Sequence, residues 1–162
     1  ESGGKMDPAE LYRNSEGALA ALAAHFGVEP LSSEVALLGH SFGSGAALQF
    51  AARHPVKRIV LVAPFDTLRR AVRLKSWLLA LALPSQIDNR KLIRNLLHTA
   101  HPPNITILHG ERDLTLPVRM GRNLRDVAPA QLTYLEFPDD DHLSILTSRH
   151  DLILAALTGR RP

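Results

Sequence analysis

The sequence predicts an α/β protein with a mostly parallel sheet and helices on both faces, in three αβα layers. Four short apolar runs alternate with helical patterns along the 162 residues. Most of these runs are continuously apolar, which is typical of strands buried on both faces of a parallel sheet. Strands separated by helices imply right-handed crossovers, so we expect one domain over residues 1–162.

The composition is that of a globular domain and argues against several kinds of partner and site. Hydrophobic residues make up 45% of the chain and charged residues 22%, as in ordinary globular domains. The net charge is only +3, and Lys and Arg are spread along the chain, which argues against a nucleic-acid partner. The absence of cysteine excludes a disulfide, a thiolate nucleophile and a Cys-based zinc site.

The most apolar run, residues 77–83, is much shorter than the roughly 20 residues needed to cross a bilayer. We therefore expect a soluble, cytoplasmic protein. The chain opens on Glu1 rather than Met, which resembles an interior loop, so we expect its native N-terminus to lie further upstream. Nothing in the sequence fixes the oligomeric state.

The first element is predicted to be a helix over residues 8–26. Asp7 has the character of an N-cap, Pro8 suits the first helical position, and Glu10 can close a capping box. Apolar residues recur at helical spacing up to Phe26, and Gly27 can end the helix in a left-handed conformation.

The remaining elements alternate. Strands are predicted at 35–38, 58–63, 104–109 and 132–137, and helices at 43–53, 66–82, 87–99, 118–127 and 143–157. Strand order cannot be read from periodicity, so a flavodoxin-like or Rossmann-like domain stays open as an alternative. A dinucleotide site would need GxGxxG directly after a strand, and that pattern does not occur.

A glycine-flanked serine follows the first predicted strand. Gly39, His40, Ser41, Phe42 and Gly43 form a GxSxG pattern directly before a helix. A nucleophilic serine must sit on a sharp, strained turn with its hydroxyl exposed, and the flanking glycines allow backbone and helix to approach closely. The pattern alone also fits a structural or phosphate-binding turn.

Two further polar residues follow later strands. Asp113 lies in the loop after the third strand, and His142 lies between the fourth strand and the final helix. Taken singly, each would be read as a solvated loop residue. The carboxyl ends of parallel strands share one edge, where open α/β sheets place functional groups. The chain order Ser, Asp, His therefore predicts a catalytic triad.

In that triad Ser41 is the nucleophile, and His142 is first general base and then general acid. Asp113 holds the imidazole and stabilises its cation. The backbone N–H of Phe42 is expected to donate to the oxyanion.

At this point the chain resembles the α/β-hydrolase family. The likeness is carried by GHSFGSG at 39–45, LHGERDLTLP at 108–117 and the DH pair at 141–142. The opening ESGGKMDPAEL also resembles the glycine-rich loop and helix before the nucleophile strand of small esterase and lipase-like members. The resemblance implies a carboxylic ester or thioester hydrolase acting on a small ester or acyl substrate, with no metal or organic cofactor.

The chain also departs from that family. Members have about four further strands before the nucleophile strand, and a loop among them supplies the second oxyanion donor. Residues 1–162 correspond to the carboxyl-terminal half to two thirds of such a fold, so we expect an exposed hydrophobic sheet edge. This departure keeps open a non-catalytic domain that binds a ligand or a partner protein.

The acidic run before His142 departs from the usual pattern of the family. Asp139, Asp140 and Asp141 stand where small esterases often have glycine, and we expect these carboxylates to be solvated rather than to bind a metal.

Residues 64–103 fall where the family carries a helical cap. Within them, residues 68–83 are first basic and then apolar, so this segment is either a packed helix or a lid that contacts lipid. Dehalogenase or epoxide-hydrolase chemistry would need aspartate at Ser41 and is discarded.

Overall fold

The computed structural model describes residues 8–27, 35–74 and 87–160. Its strands are β1 Ala36–His40, β2 Arg58–Val62, β3 Asn104–Gly110 and β4 Thr133–Phe137. Its helices are α1 Pro8–Phe26, α2 Gly43–Ala51, α3 Leu68–Arg73, α4 Asn89–Leu97, α5 Arg119–Arg125, α6 Ser144–Ser148 and α7 His150–Thr158. All strand pairs are parallel, in the order β1-β2-β3-β4.

The two faces of β2 bury different halves of the core. Because side chains alternate along a strand, Ile59 and Leu61 face one layer of helices while Val60 and Val62 face the other. The first face packs against buried residues of α2, α4 and α5: Leu48, Phe50, Ile93, Leu96 and Leu124. The second packs against Ile145 of α6 and Ile153 of α7. The expected parallel α/β layering is therefore confirmed.

The first strand differs from its expectation of burial on both faces. It runs over Ala36–His40 rather than residues 35–38, and Leu38 is 49% exposed. The physical reason is its position, because β1 is an edge strand of the described sheet and has only β2 as a neighbour. Leu22, Leu37 and Leu38 line an apolar groove of about 480 Å³ between α1 and this edge.

The predicted final helix, 143–157, is divided into α6 and α7. Arg149 lies between them with φ −115° and ψ 20°, outside the helical region. At this point Ser148 Oγ and Arg149 Nε both donate to the buried carboxylate of Asp140, at 2.6 Å and 2.7 Å. These two hydrogen bonds to Asp140 coincide with the break in the helix at Arg149. Hydrophobic periodicity cannot predict them, because Asp140 lies outside the helix.

Of the predicted helix at 66–82, the described part is α3, which begins at an N-cap threonine, Thr67. The rest of that helix and part of the proposed lid at 68–83 lie outside the described residues. Among the described helices, none is long and apolar enough to cross a membrane.

Gly17 offers a test of the exposed face of α1. A methyl group at this position would meet no atom of the described residues within 4 Å, so Gly17→Ala removes the backbone entropy cost of glycine without a clash with them. We expect the free energy of unfolding to rise by about 0.5–1 kcal/mol, measured by urea denaturation. Gly27→Ala, at φ 63°, should instead destabilise the same helix end. A loss of stability in Gly17→Ala would mean that another part of the protein packs on this face.

Candidate active site

Ser41 occupies a strained turn between β1 and α2. Its φ is 54°, in the left-handed region that non-glycine residues rarely adopt, and its N–H donates to the carbonyl of Val62 at 3.0 Å. A Cβ on Gly39 would lie 2.8 Å from both Gly43 O and Ser44 Cα. Only glycine at position 39 therefore lets the start of α2 pack against the end of β1.

The other glycines of the turn behave differently from expectation. A Cβ on Gly43 would meet nothing within 4 Å, so the close approach expected of Gly43 is wrong for the described structure. A Cβ on Gly45 would lie 2.9 Å from Phe65 Cζ and 3.0 Å from Ile87 Cγ2. The ring of Phe65 is fully buried against the first turn of α2, which makes Gly45 the sterically required glycine there.

The structure brings Ser41, His142 and Asp113 into one hydrogen-bonded chain. His142 Nε2 lies 2.9 Å from Ser41 Oγ, and His142 Nδ1 lies 2.7 Å from Asp113 Oδ2. Because a carboxylate can only accept, Nδ1–H donates to Asp113 and the lone pair of Nε2 accepts the serine hydroxyl. The three side chains come from the loops after β1, β3 and β4.

The Asp113 carboxylate is buried and fully engaged. Its Oδ1 accepts the backbone N–H groups of Thr115 and Leu116, each at 2.8 Å, while Oδ2 faces His142. Burial alone would raise the pKa of Asp113, but hydrogen bonds from His109, His142 and the Leu116 N–H outweigh it and hold this pKa below its ordinary value. Asp113 is therefore an anion at neutral pH.

His109 is a site residue that sequence reasoning missed. It is fully buried, and its Nε2 lies 2.8 Å from the carbonyl of Leu116 and 3.4 Å from Asp113 Oδ2. Since a carbonyl only accepts, Nε2 carries the proton and Nδ1 is left with no hydrogen-bond partner. Gly121 packs on this nitrogen, where a Cβ would lie 2.5 Å away. The available signal was a lone histidine within an apolar strand.

His40, predicted only as part of the nucleophile turn, also contacts the histidine loop. Its Nε2 lies 2.9 Å from the backbone carbonyl of His142 and therefore donates to it. The two imidazole rings lie 4.8 Å apart at 42°. The residue before Ser41 thus ties the end of β1 to the loop that carries His142.

Each carboxylate of the acidic run before His142 accepts hydrogen bonds from the described residues around it. Asp139 accepts from Arg112 Nη2 at 2.8 Å, and Asp140 accepts from Ser148 of α6 and from Arg149, which lies between α6 and α7. Asp141 accepts the N–H groups of Leu143 and Ser144, which hold its pKa below the ordinary value. Asp140 is only 4% exposed, so the expectation that these carboxylates are solvated is wrong for Asp140, which is buried because it anchors the junction of α6 and α7. No group of three metal-ligating side chains occurs in the described ranges.

Phe42 follows Ser41 and is the N-cap residue of α2. In the described part of the chain, its backbone N–H has no backbone acceptor, whereas the N–H groups of Ser44 and Gly45 donate to the carbonyls of Ser41 and Phe42. The N-terminus of a helix favours negative charge. The arrangement suits the oxyanion donor that the sequence predicts for Phe42.

Solved structures with the same architecture were found by structural comparison. The chain superposes on an esterase domain of a Rhodothermus marinus protein with a TM-score of 0.65 and 18% identity, over 92% of this chain and 66% of that one. A meta-cleavage product hydrolase from Pseudomonas fluorescens gives a TM-score of 0.66 at 14% identity, over 98% and 73%. The chain has the α/β-hydrolase fold.

The match to an alpha-beta serine hydrolase homologue from Coxiella burnetii has a TM-score of 0.64 at 14% identity and covers 99% of this chain. This chain spans 64% of that structure's length, and 66% and 73% of the other two. No protein-family model and no curated protein sequence matches it.

Gly110 tests how tightly the histidine loop is held. Its Cβ would lie 2.2 Å from the backbone oxygen of Asp140 and 2.6 Å from the carbonyl carbon, so Gly110→Ala must displace the loop that carries His142. We expect a loss of about 1–3 kcal/mol in the free energy of unfolding and a shift of the His142 ring NMR signals. Gly17→Ala is the matched control. Wild-type stability and unshifted signals in Gly110→Ala would contradict this packing.

Proposed function

We propose that this protein is a serine hydrolase that cleaves a carboxylic ester or thioester through an acyl-enzyme intermediate. The observation that carries the proposal is the unbroken hydrogen-bond chain from Ser41 Oγ through His142 to the buried carboxylate of Asp113. A surface serine and a loop histidine have no structural need for such an alignment. In this arrangement each donor and acceptor has the role that acyl transfer requires.

The chemistry follows from those contacts. Ser41 Oγ attacks the carbonyl carbon of the substrate while His142 Nε2 takes the hydroxyl proton. The oxygen of the tetrahedral intermediate becomes negative and accepts the N–H of Phe42. When the carbon–oxygen or carbon–sulfur bond breaks, His142 gives its proton to the leaving alcohol or thiol. Water then repeats the sequence on the acyl-enzyme, releasing the acid and free Ser41.

Asp113 would act on His142 rather than on the substrate. Because its carboxylate stays ionised, it fixes the proton on Nδ1 and stabilises the imidazolium that forms when Nε2 is protonated. The two backbone N–H groups on its other oxygen keep the carboxylate from rotating away. The buried His109 lies with its Nε2 3.4 Å from Oδ2, the oxygen that faces His142, so both oxygens of Asp113 have partners.

Exposed apolar side chains next to the proposed triad favour a substrate with an acyl chain. Phe42, Leu114 and Leu143 each directly follow a member of the proposed triad and are 46%, 93% and 66% exposed. Large apolar side chains at three such positions would favour contact with a hydrocarbon group. The helical cap at 64–103 and lipid contact through 68–83 stay predictions, and they would extend the same apolar surface.

A non-catalytic binding domain is the second candidate. It is favoured by the exposed edge of β1, where Leu38 and the adjoining groove could receive a ligand or partner. A binding domain needs no activated serine, so reactivity of Ser41 separates the two candidates.

The first test is labelling with a fluorophosphonate, followed by intact-mass spectrometry. We expect one adduct on the wild-type protein, because the probe reacts with a serine activated by a base whatever the natural substrate. Ser41→Ala should lose the adduct, whereas Thr158→Ala, which removes an exposed hydroxyl at the end of α7, should keep it. Asp113→Asn should slow labelling by about 10³- to 10⁴-fold, because the imidazole tautomer is no longer fixed.

Circular dichroism of each variant is the control for folding. An unlabelled but folded wild-type chain would count against the hydrolase and favour the binding domain. An adduct that persists in Ser41→Ala would show that another residue is the nucleophile.

His40 should act as a positioning residue for this reaction. Its hydrogen bond holds the backbone at His142, so His40→Ala should slow labelling of Ser41 by up to about 100-fold through misplacement of the base. His40→Gln keeps a side-chain N–H donor and should recover part of the rate. The readout is the second-order labelling rate at constant stability. Labelling of His40→Ala at the wild-type rate would contradict the role.

A further inference from the structure

A second polar pocket lies away from the proposed triad, at the carboxyl edge of the sheet. It has a volume of about 300 Å³ and is formed between α3, α5 and the loop after β2. Its lining residues are Asp66, Arg70, Arg73, Leu74, Arg119, Met120 and Asn123. Three guanidinium groups and one carboxylate therefore share this pocket.

The carboxylate of Asp66 is internal to the pocket wall and already saturated. Its side chain is fully buried, and Oδ1 accepts the N–H of Thr67 at 2.7 Å. Oδ2 accepts Arg70 Nη1 at 2.6 Å and Asn123 Nδ2 at 2.7 Å. Asp66 thus fixes α3 to α5 and orients one face of the Arg70 guanidinium.

The other two arginines have no such partner. Among the described residues, neither Arg73 nor Arg119 makes an ion pair or a side-chain hydrogen bond, and both are exposed. Arg70 and Arg73 are three residues apart on α3, so they lie on the same side of the helix. Arg119 begins α5 and faces the same pocket from the opposite wall.

Because one of the three guanidinium charges is matched by Asp66, the pocket retains an excess of two positive charges. Like charges close together are unfavourable unless a counter-ion joins them. A guanidinium group presents a planar fork of donors that matches phosphate oxygens. We propose that this pocket binds the phosphate group of a small phosphorylated molecule or of a lipid headgroup.

The geometry makes this site separable from the reaction at Ser41. Met120 of the pocket packs with Leu116 and Phe65 in a buried apolar cluster. Leu116 in turn donates its N–H to Asp113, so this cluster stands between the phosphate pocket and the acid of the triad. Phosphate binding requires no activated serine, so it can be tested independently of the proposed hydrolysis.

The test is isothermal titration of the full chain with glycerol 3-phosphate, at low and at moderate salt. We expect one site, weakened about tenfold by Arg73→Ala and by Arg119→Ala, because each removes a charge-assisted hydrogen bond. Arg94→Ala is the matched control, since it removes the same charge from an exposed position on α4 outside the pocket. Ser41→Ala should bind as the wild type does. Arg70→Ala is avoided because it would leave Asp66 buried without its cation.

Vesicle flotation distinguishes the two sources of phosphate. If vesicles containing phosphatidic acid bind the wild-type chain and Arg73→Ala and Arg119→Ala abolish binding, the ligand is a lipid headgroup. If only glycerol 3-phosphate binds, with the same dependence on the two arginines, the ligand is a soluble phosphate ester. Absence of binding by both probes, or equal weakening by Arg94→Ala, would overturn the proposal.

Discussion

The left-handed backbone of Ser41 is the constraint on which the candidate site depends. This conformation costs about 1–3 kcal/mol at a residue with a side chain, and it persists only where the surroundings fix it. Here the carbonyl of Val62 holds the serine N–H, and the Gly39 backbone lies against the first turn of α2. The pairing of β1 with β2 and the burial of α2 thus offset the strain, and the half-buried serine places its hydroxyl against His142.

The parallel sheet brings the three side chains of the candidate site together. Ser41 and His142 are 101 residues apart, and His142 and Asp113 are 29 residues apart, yet their side chains meet. They meet because every strand ends at the same edge, so that each following loop is delivered to one place. Two close contacts then fix the histidine loop, since Gly110 lies against the backbone of Asp140 and His40 donates to the carbonyl of His142.

Carboxylates near this edge fall into three electrostatic settings. Asp113 is buried but remains ionised through hydrogen bonds, which is the state that a group orienting an imidazole requires. Asp139 and Asp140 are paired with arginines that tie the histidine loop to its surroundings. Asp66 saturates one side of Arg70 and leaves Arg73 and Arg119 to face the phosphate pocket. The same residue type therefore occurs in the proposed triad, in structural ion pairs and in the wall of the proposed phosphate pocket.

The sequence by itself determined the layered α/β class, the span of α1 and the approximate strands, because local periodicity and capping depend on neighbouring residues. It also singled out Ser41, Asp113 and His142, since their order along the chain is a one-dimensional signal. Tertiary structure decided what local patterns cannot contain. It placed the tight glycine contact at Gly45 rather than Gly43, and it set His109 behind Asp113. These features arise from contacts between residues far apart in the chain, which no local spacing encodes.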